Sequence, residues 1–435
     1  SPRKRGEVLN ASTSYAAKRP GDHRRTAPRY YAQLDANRIC GILDCFPSTP
    51  AAMSPVPADR TVNPVRALQA FGQSVWLDYI RRDLLSTGEL ARLVRDDGLR
   101  GLTSNPAIFE KAFSSGEDYA STLLEAARAS RNPYRIYEAL AFGDIRDAAD
   151  ALRAVYEATG GADGFVSLEV APDLAHDTVG TLAEARRLWR EAGRDNLMVK
   201  VPGTPAGVPA IKELIAEGIN VNVTLLFARS AYEKVAEAHM SGLEHRAASG
   251  KDIGRVASVA SFFVSRIDSA VDAELERRMG TASAAGKQAL SALLGKTAIA
   301  NAKLAYETYR RVTQAERWQK LATLGAKPQR LLWASTSTKN PKYRDVLYVE
   351  ELIGPHTVNT MPPATLDAFR DHGVPRPSLQ EALDEARAVL AELETHGIRL
   401  DDVTARLLDE GVALFSEAFA RLLSAVEARV RSIAA

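Results

Sequence analysis

From residue 63 onwards, the chain alternates short runs of β-favouring residues with longer helical segments. The runs are SVWLDYI from Ser74, GLTSNP from Gly101, GFVSLEV from Gly164, LMVKVP from Leu197, NVNVTLLF from Asn220, VASVASFF from Val256, LLWAS from Leu331 and HTVNTMPP from His356. Strands that alternate with helices pair in parallel through right-handed crossovers. Eight strands in about 300 residues favour a closed (β/α)8 TIM barrel over 63–370. An open doubly wound sheet is the alternative.

Residues 371–435 are predicted to form C-terminal helices. Ser378 and Glu381 make an S-x-x-E pattern directly after Pro377, which predicts a capping box at a helix start, and Gly397 predicts the end of that helix. A second helix carries one apolar stripe, formed by Leu407, Val412, Phe415, Phe419, Leu422 and Val426. Such stripes are packing surfaces. We therefore expect this tail to cover the barrel or make a subunit contact, and not to take part in chemistry.

Residues 1–62 differ from the rest of the chain in composition. They contain ten Lys or Arg against five Asp or Glu and show no sustained apolar period. Such a segment does not bury enough surface to order itself. A basic leader of the transit-peptide type is one interpretation, but no clear amphipathic helix or cleavage site stands out. A disordered extension, or a misassigned start, is favoured.

Charge and cysteine content exclude several classes of function for the remainder. The net charge of the whole chain is +2, which argues against a protein built around nucleic acid or an anionic membrane. The two cysteines, Cys40 and Cys45, both precede residue 63, and no histidine belongs to an HExxH or Cys/His cluster. No apolar run approaches the ~20 residues that span a bilayer. We expect a cytoplasmic protein without a metal site.

The alternation of side chains along the predicted strands places one lysine in the barrel interior. Val199 and Val201 would face the helices, which leaves Lys200 pointing inward. The same parity turns four other polar side chains towards the axis, namely Asp78, Glu169, Asn222 and Thr224. Polar groups at the carboxyl ends of barrel strands are typical of an active site.

Lys200 permits two interpretations. The first is a structural ion pair with Asp78 or Glu169. The second is a nucleophile that attacks a carbonyl as the neutral amine and forms a Schiff base. Desolvation favours the neutral amine and neighbouring carboxylates oppose it, so the sequence alone does not decide between them. The carboxylates, amides and hydroxyls that are predicted to face the barrel axis beside Lys200 favour the nucleophile.

A phosphate site is predicted further along the chain. Ser261 lies near the end of the sixth strand, and Arg266 follows five residues later at the start of a helix. A helix N-terminus with a basic side chain suits an anion. Lys339, after the seventh strand, is a further candidate, although a lysine in a Lys-Asn-Pro turn is often merely solvated. The loop PGTPAG from Pro202 lacks the spacing of a nucleotide-binding loop and is expected only to connect strand and helix.

These residues lie in segments that resemble the transaldolases, in their longer bacterial form with a C-terminal helical extension. The segments are WLDYI, LTSNPAIF, VSLEV, NLMVKVPGTPAG, EGINVNVTLLF, VASFFVSR and WASTSTKNPKY, and they occur in the family's order. The resemblance implies a (β/α)8 barrel, no metal or organic cofactor, and sugar phosphates as substrates. It implies transfer of a dihydroxyacetone unit between a ketose phosphate and an aldose phosphate in the pentose phosphate pathway. It leaves open whether the protein is a monomer or a homodimer.

The resemblance also implies a role for each candidate residue. Lys200 matches the Schiff-base lysine, and Asp78 the acid/base at the substrate hydroxyl. Glu169 matches the carboxylate that moves protons through a water, and Thr224 the hydroxyl that helps to hold that water. The remaining matches concern substrate binding: Asn105 and Asn222 bind hydroxyls of the intermediate, and Ser261 and Arg266 bind phosphate. Lys339 stands where better-known members carry an arginine, and it offers a point charge in place of a bidentate fork.

Two other functions are compatible with the same residues. A Schiff-base aldolase would release dihydroxyacetone instead of transferring it, and Glu169 disfavours that reaction. A barrel that only binds sugar phosphates or a partner would not need Lys200, Asp78 and Glu169 together. A transferase is therefore favoured.

Overall fold

A computed structural model describes residues 63–115 and 117–434, with no side-chain description at 115, 117, 433 and 434. All of them fall within one compact unit. The predicted extension 1–62, with Cys40 and Cys45, lies outside the described residues. Eight parallel strands close into a barrel in sequence order, each paired with the next and β8 with β1. The barrel prediction is confirmed, and the open-sheet alternative is wrong.

All eight predicted strands are present. They are β1 Gln73–Asp78, β2 Gly101–Thr103, β3 Phe165–Glu169, β4 Leu197–Pro202, β5 Val221–Leu226, β6 Ser258–Phe263, β7 Arg330–Ala334 and β8 Thr357–Met361. Nearly every strand residue is buried, because one face meets the helices and the other fills the barrel. The partly exposed residues include Asp78 and Glu169, the last residues of β1 and β3.

Helices surround the barrel and connect its strands. They are α1 Pro64–Ala67, α2 Arg82–Ser86, α3 Glu89–Arg92, α4 Pro106–Ser115, α5 Ala120–Ala129, α6 Pro133–Ala151, α7 Arg153–Ala158, α8 Thr178–Ala192, α9 Gly207–Glu217, α10 Arg229–Ala248, α11 Ser265–Met279, α12 Ala284–Ser291, α13 Thr297–Gln314, α14 Glu316–Thr323, α15 Leu347–Glu350, α16 Pro363–His372, α17 Leu383–Thr395 and α18 Leu400–Ala434. Short 3-10 turns cover Leu68–Phe71, Glu117–Tyr119, Pro172–His176 and Ser378–Gln380, and a π turn covers Leu93–Asp97. No helix in these described ranges is long and apolar enough to cross a membrane.

Large side chains fill the middle of the barrel. Trp76, Phe165 and Met198 are each at most 1% exposed and point inward from β1, β3 and β4. The Trp76 and Phe165 rings lie 6.3 Å apart. Gly101 on β2 makes room for the indole, since a Cβ there would lie 2.5 Å from the Trp76 ring. The barrel is therefore a packed core with separate openings at its two ends.

The predicted capping box in the tail is wrong. The helix begins at Leu383, after Ala382 with a φ of 54°, and no side chain caps it. Ser378 instead donates its hydroxyl to the carbonyl of Glu350 at 2.5 Å and accepts from the backbone N–H of Ile353 at 3.1 Å. The Ser378 hydroxyl therefore makes tertiary hydrogen bonds instead of capping the helix that the local pattern predicted. The predicted helix end is confirmed, because α17 ends at Thr395, His396 is its C-cap, and Gly397 comes next with a φ of 68°.

The last helix, α18, packs along the barrel through its predicted apolar stripe. Leu422 and Val426 are fully buried, and Leu407 is 5% exposed. The same helix also reaches the barrel opening at the carboxyl ends of the strands, because Phe415 and Arg421 line the cavity there. The expectation that the tail serves only packing therefore needs correction.

Candidate active site

Lys200 is a buried lysine in the barrel interior. It belongs to β4, where its neighbours Val199 and Val201 are fully buried on the helix side, and it is itself 5% exposed. Its Nζ donates to the backbone carbonyl of Ser104 at 2.9 Å and lies 3.5 Å from Oε2 of Glu169. The strand parity expected from the sequence is confirmed. The amine is held by one neutral acceptor and one carboxylate.

Glu169 pairs with Lys200 in the register of β3 and β4. Its side chain is 6% exposed, and its second oxygen, Oε1, is buried with no hydrogen-bond partner among the described residues. Burial raises the pKa of Glu169 to about 7, against the charge and hydrogen bond of Lys200 and with a further upward contribution from Asp78. A carboxyl group of this kind exchanges a proton near neutral pH.

Asp78 is the last residue of β1 and faces the same space as Lys200. Its Oδ1 accepts a hydrogen bond from Thr103 Oγ1 at 2.6 Å, and that hydroxyl is also 2.8 Å from Thr360 Oγ1. Burial raises the pKa of Asp78, while the Thr103 hydrogen bond and the charges of Lys200 and Lys339 lower it. Asp78 is thus a second buried carboxyl group with a raised pKa at the same end of the barrel.

Asn222 and Thr224 follow on β5, the strand next to Lys200. Asn222 is the register partner of Lys200; its Nδ2 donates to Ser167 Oγ at 3.0 Å, and its Oδ1 accepts from Ser261 Oγ at 2.6 Å. Thr224 is fully buried, and its Oγ1 has no hydrogen-bond partner among the described residues. These strands therefore supply both a fixed amide and an unpaired hydroxyl.

A cavity of about 430 Å³ opens above these groups. Six of the nine predicted site residues line it: Asp78, Asn105, Lys200, Ser261, Arg266 and Lys339. Asn222 and Glu169 contact the lining through Ser261 and Lys200. The Oδ1 of Asn105 accepts from the N–H of Ile108 at 3.1 Å, which fixes its orientation at the start of α4. Thr224 is not among the residues that line the cavity.

Two basic residues lie on one side of the cavity. Arg266 is the second residue of α11, directly after β6, and Lys339 follows β7. Both line the same cavity; burial lowers the pKa of Lys339, the charge of Arg266 lowers it further, and the charge of Asp78 raises it. The Nζ of Lys339 donates to Ser337 Oγ at 2.7 Å. Two cations beside a helix N-terminus form a suitable anion receptor.

The loop that carries Lys339 is anchored to α11 by two tyrosines. Tyr343 donates its hydroxyl to Asp272 at 2.7 Å, and Tyr348 donates to Asp268 at 2.9 Å. Both carboxylates belong to the helix that begins beside Arg266. Tyr343 in the Lys339 loop and Tyr348 in the following α15 therefore tie this segment to the helix that contains Arg266.

The cavity is also formed by residues that the sequence analysis did not predict as site residues. Leu414, Phe415 and Arg421 come from α18, and the Phe415 ring centroid lies 5.9 Å from Nζ of Lys200. Thr103 holds Asp78, as described above. The sequence signal for Phe415 was its place in an apolar stripe, which is indistinguishable from ordinary packing. In the described part of the chain, no group of three or more His, Cys, Asp or Glu residues could hold a metal ion.

The chain is similar to known proteins over most of its length. Residues 75–426 match the family model described as Transaldolase/Fructose-6-phosphate aldolase. A protein of Nostoc sp. named Transaldolase 2 is 48% identical over 374 residues, covering 85% of this chain and 98% of its own. A protein of Thiobacillus denitrificans named Transaldolase is 50% identical over 365 residues, covering 84% and 100%. One of Parafrankia sp., also named Transaldolase, is 50% identical over 372 residues, covering 85% and 99%.

Proposed function

Because the chain belongs to the transaldolase/fructose-6-phosphate aldolase family, we propose a mechanism for its transaldolase activity in which Lys200 is the reacting amine. The enzyme transfers a dihydroxyacetone unit in the pentose phosphate pathway. Sedoheptulose 7-phosphate and fructose 6-phosphate are the donors in either direction, and glyceraldehyde 3-phosphate and erythrose 4-phosphate the acceptors. The observation that carries the proposal is a 5%-exposed amine facing a cavity of about 430 Å³ with two carboxyl groups at the same end.

The first step joins the donor to the enzyme. Neutral Lys200 attacks the C2 carbonyl to give a carbinolamine, and Glu169 passes a proton through a water so that the C2 oxygen leaves as water. The unpaired Oε1 of Glu169 and Oγ1 of Thr224 suit a water between them and the amine. The product is an iminium ion.

The second step breaks the carbon–carbon bond. Asp78 accepts the proton of the C4 hydroxyl, the C3–C4 bond breaks, and its electron pair moves into the iminium to give an enamine. The aldose leaves with its new carbonyl group. Asn105 and Asn222 bind the hydroxyls of the three-carbon unit that remains on Lys200. The raised pKa of Asp78 makes it a better proton acceptor at this step than an exposed aspartate would be.

The transfer is completed by the reverse sequence. The enamine carbon attacks the acceptor aldehyde, Asp78 returns its proton to the new hydroxyl, and water releases the ketose from Lys200. Arg266, Ser261 and Lys339 bind the phosphate groups of donor and acceptor in turn. Because both substrates use the same cations, the two half-reactions share one binding mode.

The wider setting of the enzyme is also proposed. Its partners are sugar phosphates and not nucleic acid, and a cytoplasmic location suits a pathway whose intermediates are there. The aldolase alternative would release dihydroxyacetone after the second step. It is distinguished by the fate of the enamine and not by the presence of the Schiff base.

A labelling experiment tests the reacting amine. Borohydride reduction with fructose 6-phosphate should add the mass of the reduced three-carbon or six-carbon adduct to the peptide that contains Lys200. Lys200→Arg should abolish both labelling and transfer to erythrose 4-phosphate while the far-UV spectrum stays unchanged. Lys303→Arg is the matched control, since Lys303 is 4% exposed but contacts Glu351 and the carbonyl of Glu381. Labelling elsewhere, or full activity in Lys200→Arg, would remove the proposal.

A second assay separates transferase from aldolase. Free dihydroxyacetone is measured with fructose 6-phosphate alone and after erythrose 4-phosphate is added. A transaldolase should turn over efficiently only with the acceptor present. Release at the same rate in both conditions would favour the aldolase.

A further inference from the structure

We propose that the opposite opening of the barrel, at the amino ends of the strands, is a second binding site that takes a small phosphate monoester. A cavity of about 310 Å³ lies there. It is lined by the first residues of several strands, among them Ser74 of β1, Ser258 of β6 and Arg330 of β7. None of its lining residues belongs to the proposed catalytic site.

The charge of this cavity favours an anion. Three basic side chains line it, from Arg100, Lys327 and Arg330, against one carboxylate, Asp163. Lys327 donates to the carbonyl of Gly254, and the charges of Asp252 and Arg255 act on its pKa in opposite directions. Two positive charges thus remain without a matching carboxylate in the lining. A phosphate monoester carries about −1.5 to −2 near pH 7, so it offsets that excess.

Asp163 holds two of these cations in a fixed arrangement. It is 2% exposed, and it lies 2.9 Å from Nη2 of Arg330 and 3.6 Å from Nη1 of Arg100. Its Oδ2 also accepts from Ser74 Oγ at 2.6 Å. Arg330 also donates to Ser74 Oγ at 2.9 Å and to the carbonyl of Ala162 at 2.7 Å, and Arg100 donates to Gln69 Oε1 at 2.8 Å. Both guanidinium groups are therefore held at the cavity wall before a ligand binds, which lowers the cost of anion binding.

An unpaired acceptor suggests that the ligand also carries a hydroxyl group. Gln73 lines the cavity and is 1% exposed. Its amide nitrogen, Nε2, donates to the carbonyl of Leu352 at 2.7 Å and to Thr357 Oγ1 at 3.0 Å. These two bonds fix the orientation of the side-chain amide. That buried Oε1 has no partner among the described residues. A hydroxyl donor would satisfy it.

Two residues that line the cavity, His356 and Gly72, have left-handed backbone conformations. His356 has a φ of 57°, which is a left-handed conformation for a residue with a side chain. Its N–H donates to the carbonyl of Gly72 at 3.0 Å. Gly72 has a φ of 76°, and a Cβ there would lie 2.9 Å from Pro355 Cα. For His356 this conformation is strained. Backbone strain of this kind clusters at ligand-binding and active sites, where the surrounding contacts maintain it.

The packed barrel core separates this cavity from Lys200, but a hydrogen bond links that core to the cavity lining. Trp76 lies between the two openings, and its Nε1 donates to Asp163 Oδ1 at 3.1 Å. Trp76 precedes Asp78 by two residues on the same strand. Ligand binding beside Asp163 therefore changes the surroundings of an indole, which provides a spectroscopic signal independent of catalysis.

Calorimetric titration with sn-glycerol 3-phosphate tests the proposal. This phosphate monoester has no carbonyl and does not form a Schiff base. A background variant with Arg266→Gln and Lys339→Gln suppresses binding in the catalytic cavity. In that background we expect one remaining site, weakened about tenfold by Lys327→Gln and by Arg100→Gln, since a charged hydrogen bond is lost. Lys320→Gln makes the same charge change at an exposed residue outside the cavity and should leave affinity unchanged.

A measurement on the unmutated chain gives an independent answer. Hydrogen exchange with and without sn-glycerol 3-phosphate should show protection in residues 327–331, at the start of β7. The proposal is overturned if that segment gains no protection. It is also overturned if the background variant binds no ligand, or if Lys327→Gln and Arg100→Gln leave its remaining affinity unchanged.

Discussion

The ring of Phe415 lies over Lys200, with 5.9 Å between the ring centroid and Nζ, although the two residues come from the last helix and the fourth strand. An aromatic face at this distance excludes water from one side of the amine and from whatever the amine carries. The tail helix thus covers the reacting group of the proposed mechanism. This contact leads to the first prediction.

Phe415→Leu should increase hydrolytic loss of the three-carbon unit. A smaller side chain admits water to the enamine, so its protonation competes with transfer. We expect the ratio of free dihydroxyacetone to transferred product to rise several-fold. Phe419→Leu is the matched control on the same helix, because its ring packs on Tyr134 and Tyr137 at 5.8 and 5.6 Å. An equal ratio in both variants would contradict a shielding role.

Glu169→Gln should change how stability depends on pH. The folded chain holds the Glu169 proton up to a pKa of about 7, whereas its ordinary pKa is 4.5. The folded state therefore binds more protons than the unfolded state between these values, and the free energy of unfolding falls as pH rises through them. The variant lacks this loss. As pH rises, its free energy of unfolding should therefore increase relative to that of the unmutated protein, by roughly 3 kcal/mol at most.

Denaturant unfolding of both proteins at pH 5 and pH 8 measures this difference. Parallel pH profiles would show that Glu169 does not take up a proton in this range. The same variant should also lose most of its transfer activity, because an amide accepts no proton.

Lys339→Gln should weaken recognition of phosphorylated donors. Removal of one charge-assisted contact should raise KM for fructose 6-phosphate by about tenfold or more, with a smaller effect on kcat. Lys339→Arg keeps the charge and should retain most of the affinity. Unphosphorylated fructose serves as the control, and all three proteins should use it equally poorly. An unchanged KM in Lys339→Gln would exclude Lys339 from phosphate binding.

Tyr343→Phe should also raise KM for fructose 6-phosphate, although Tyr343 does not line the cavity. Its hydroxyl donates to Asp272 at 2.7 Å and anchors the loop that carries Lys339. Loss of this bond should cost about 1–2 kcal/mol of stability and raise KM for fructose 6-phosphate. The effect of Lys339→Gln should then be smaller in the Tyr343→Phe background, which a double-mutant cycle measures. Additive effects would mean that Tyr343 does not position Lys339.

The sequence predicted the barrel and the inward groups because both follow from short-range rules. Side-chain alternation places Lys200 inside once Val199 and Val201 must face the helices. The eight strands were recognisable because β-rich runs and helices alternate without interruption. The family resemblance, and not the pattern alone, supplied the individual residue roles.

Other features depend on contacts between distant segments and had no local signal. Phe415 belongs to a stripe that also packs on the barrel, so its place beside Lys200 depends on the path of α18. Ser378 matched a capping pattern, yet its hydroxyl bonds to Glu350 and Ile353. The cluster around Asp163 was also invisible in the sequence, because its basic partners, Arg100 and Arg330, lie far apart in the chain.

Gly101 has a consequence for chemical modification of the protein. By leaving space for the Trp76 indole, it allows that side chain to fill the axis of the barrel together with Phe165 and Met198. A reagent that enters beside Arg330 has no interior route to Lys200, so each opening is reached only from its own side. Replacement of Gly101 by alanine would force the indole to move, because the new Cβ would lie 2.5 Å from its ring, and would disturb the packing that keeps the two openings apart.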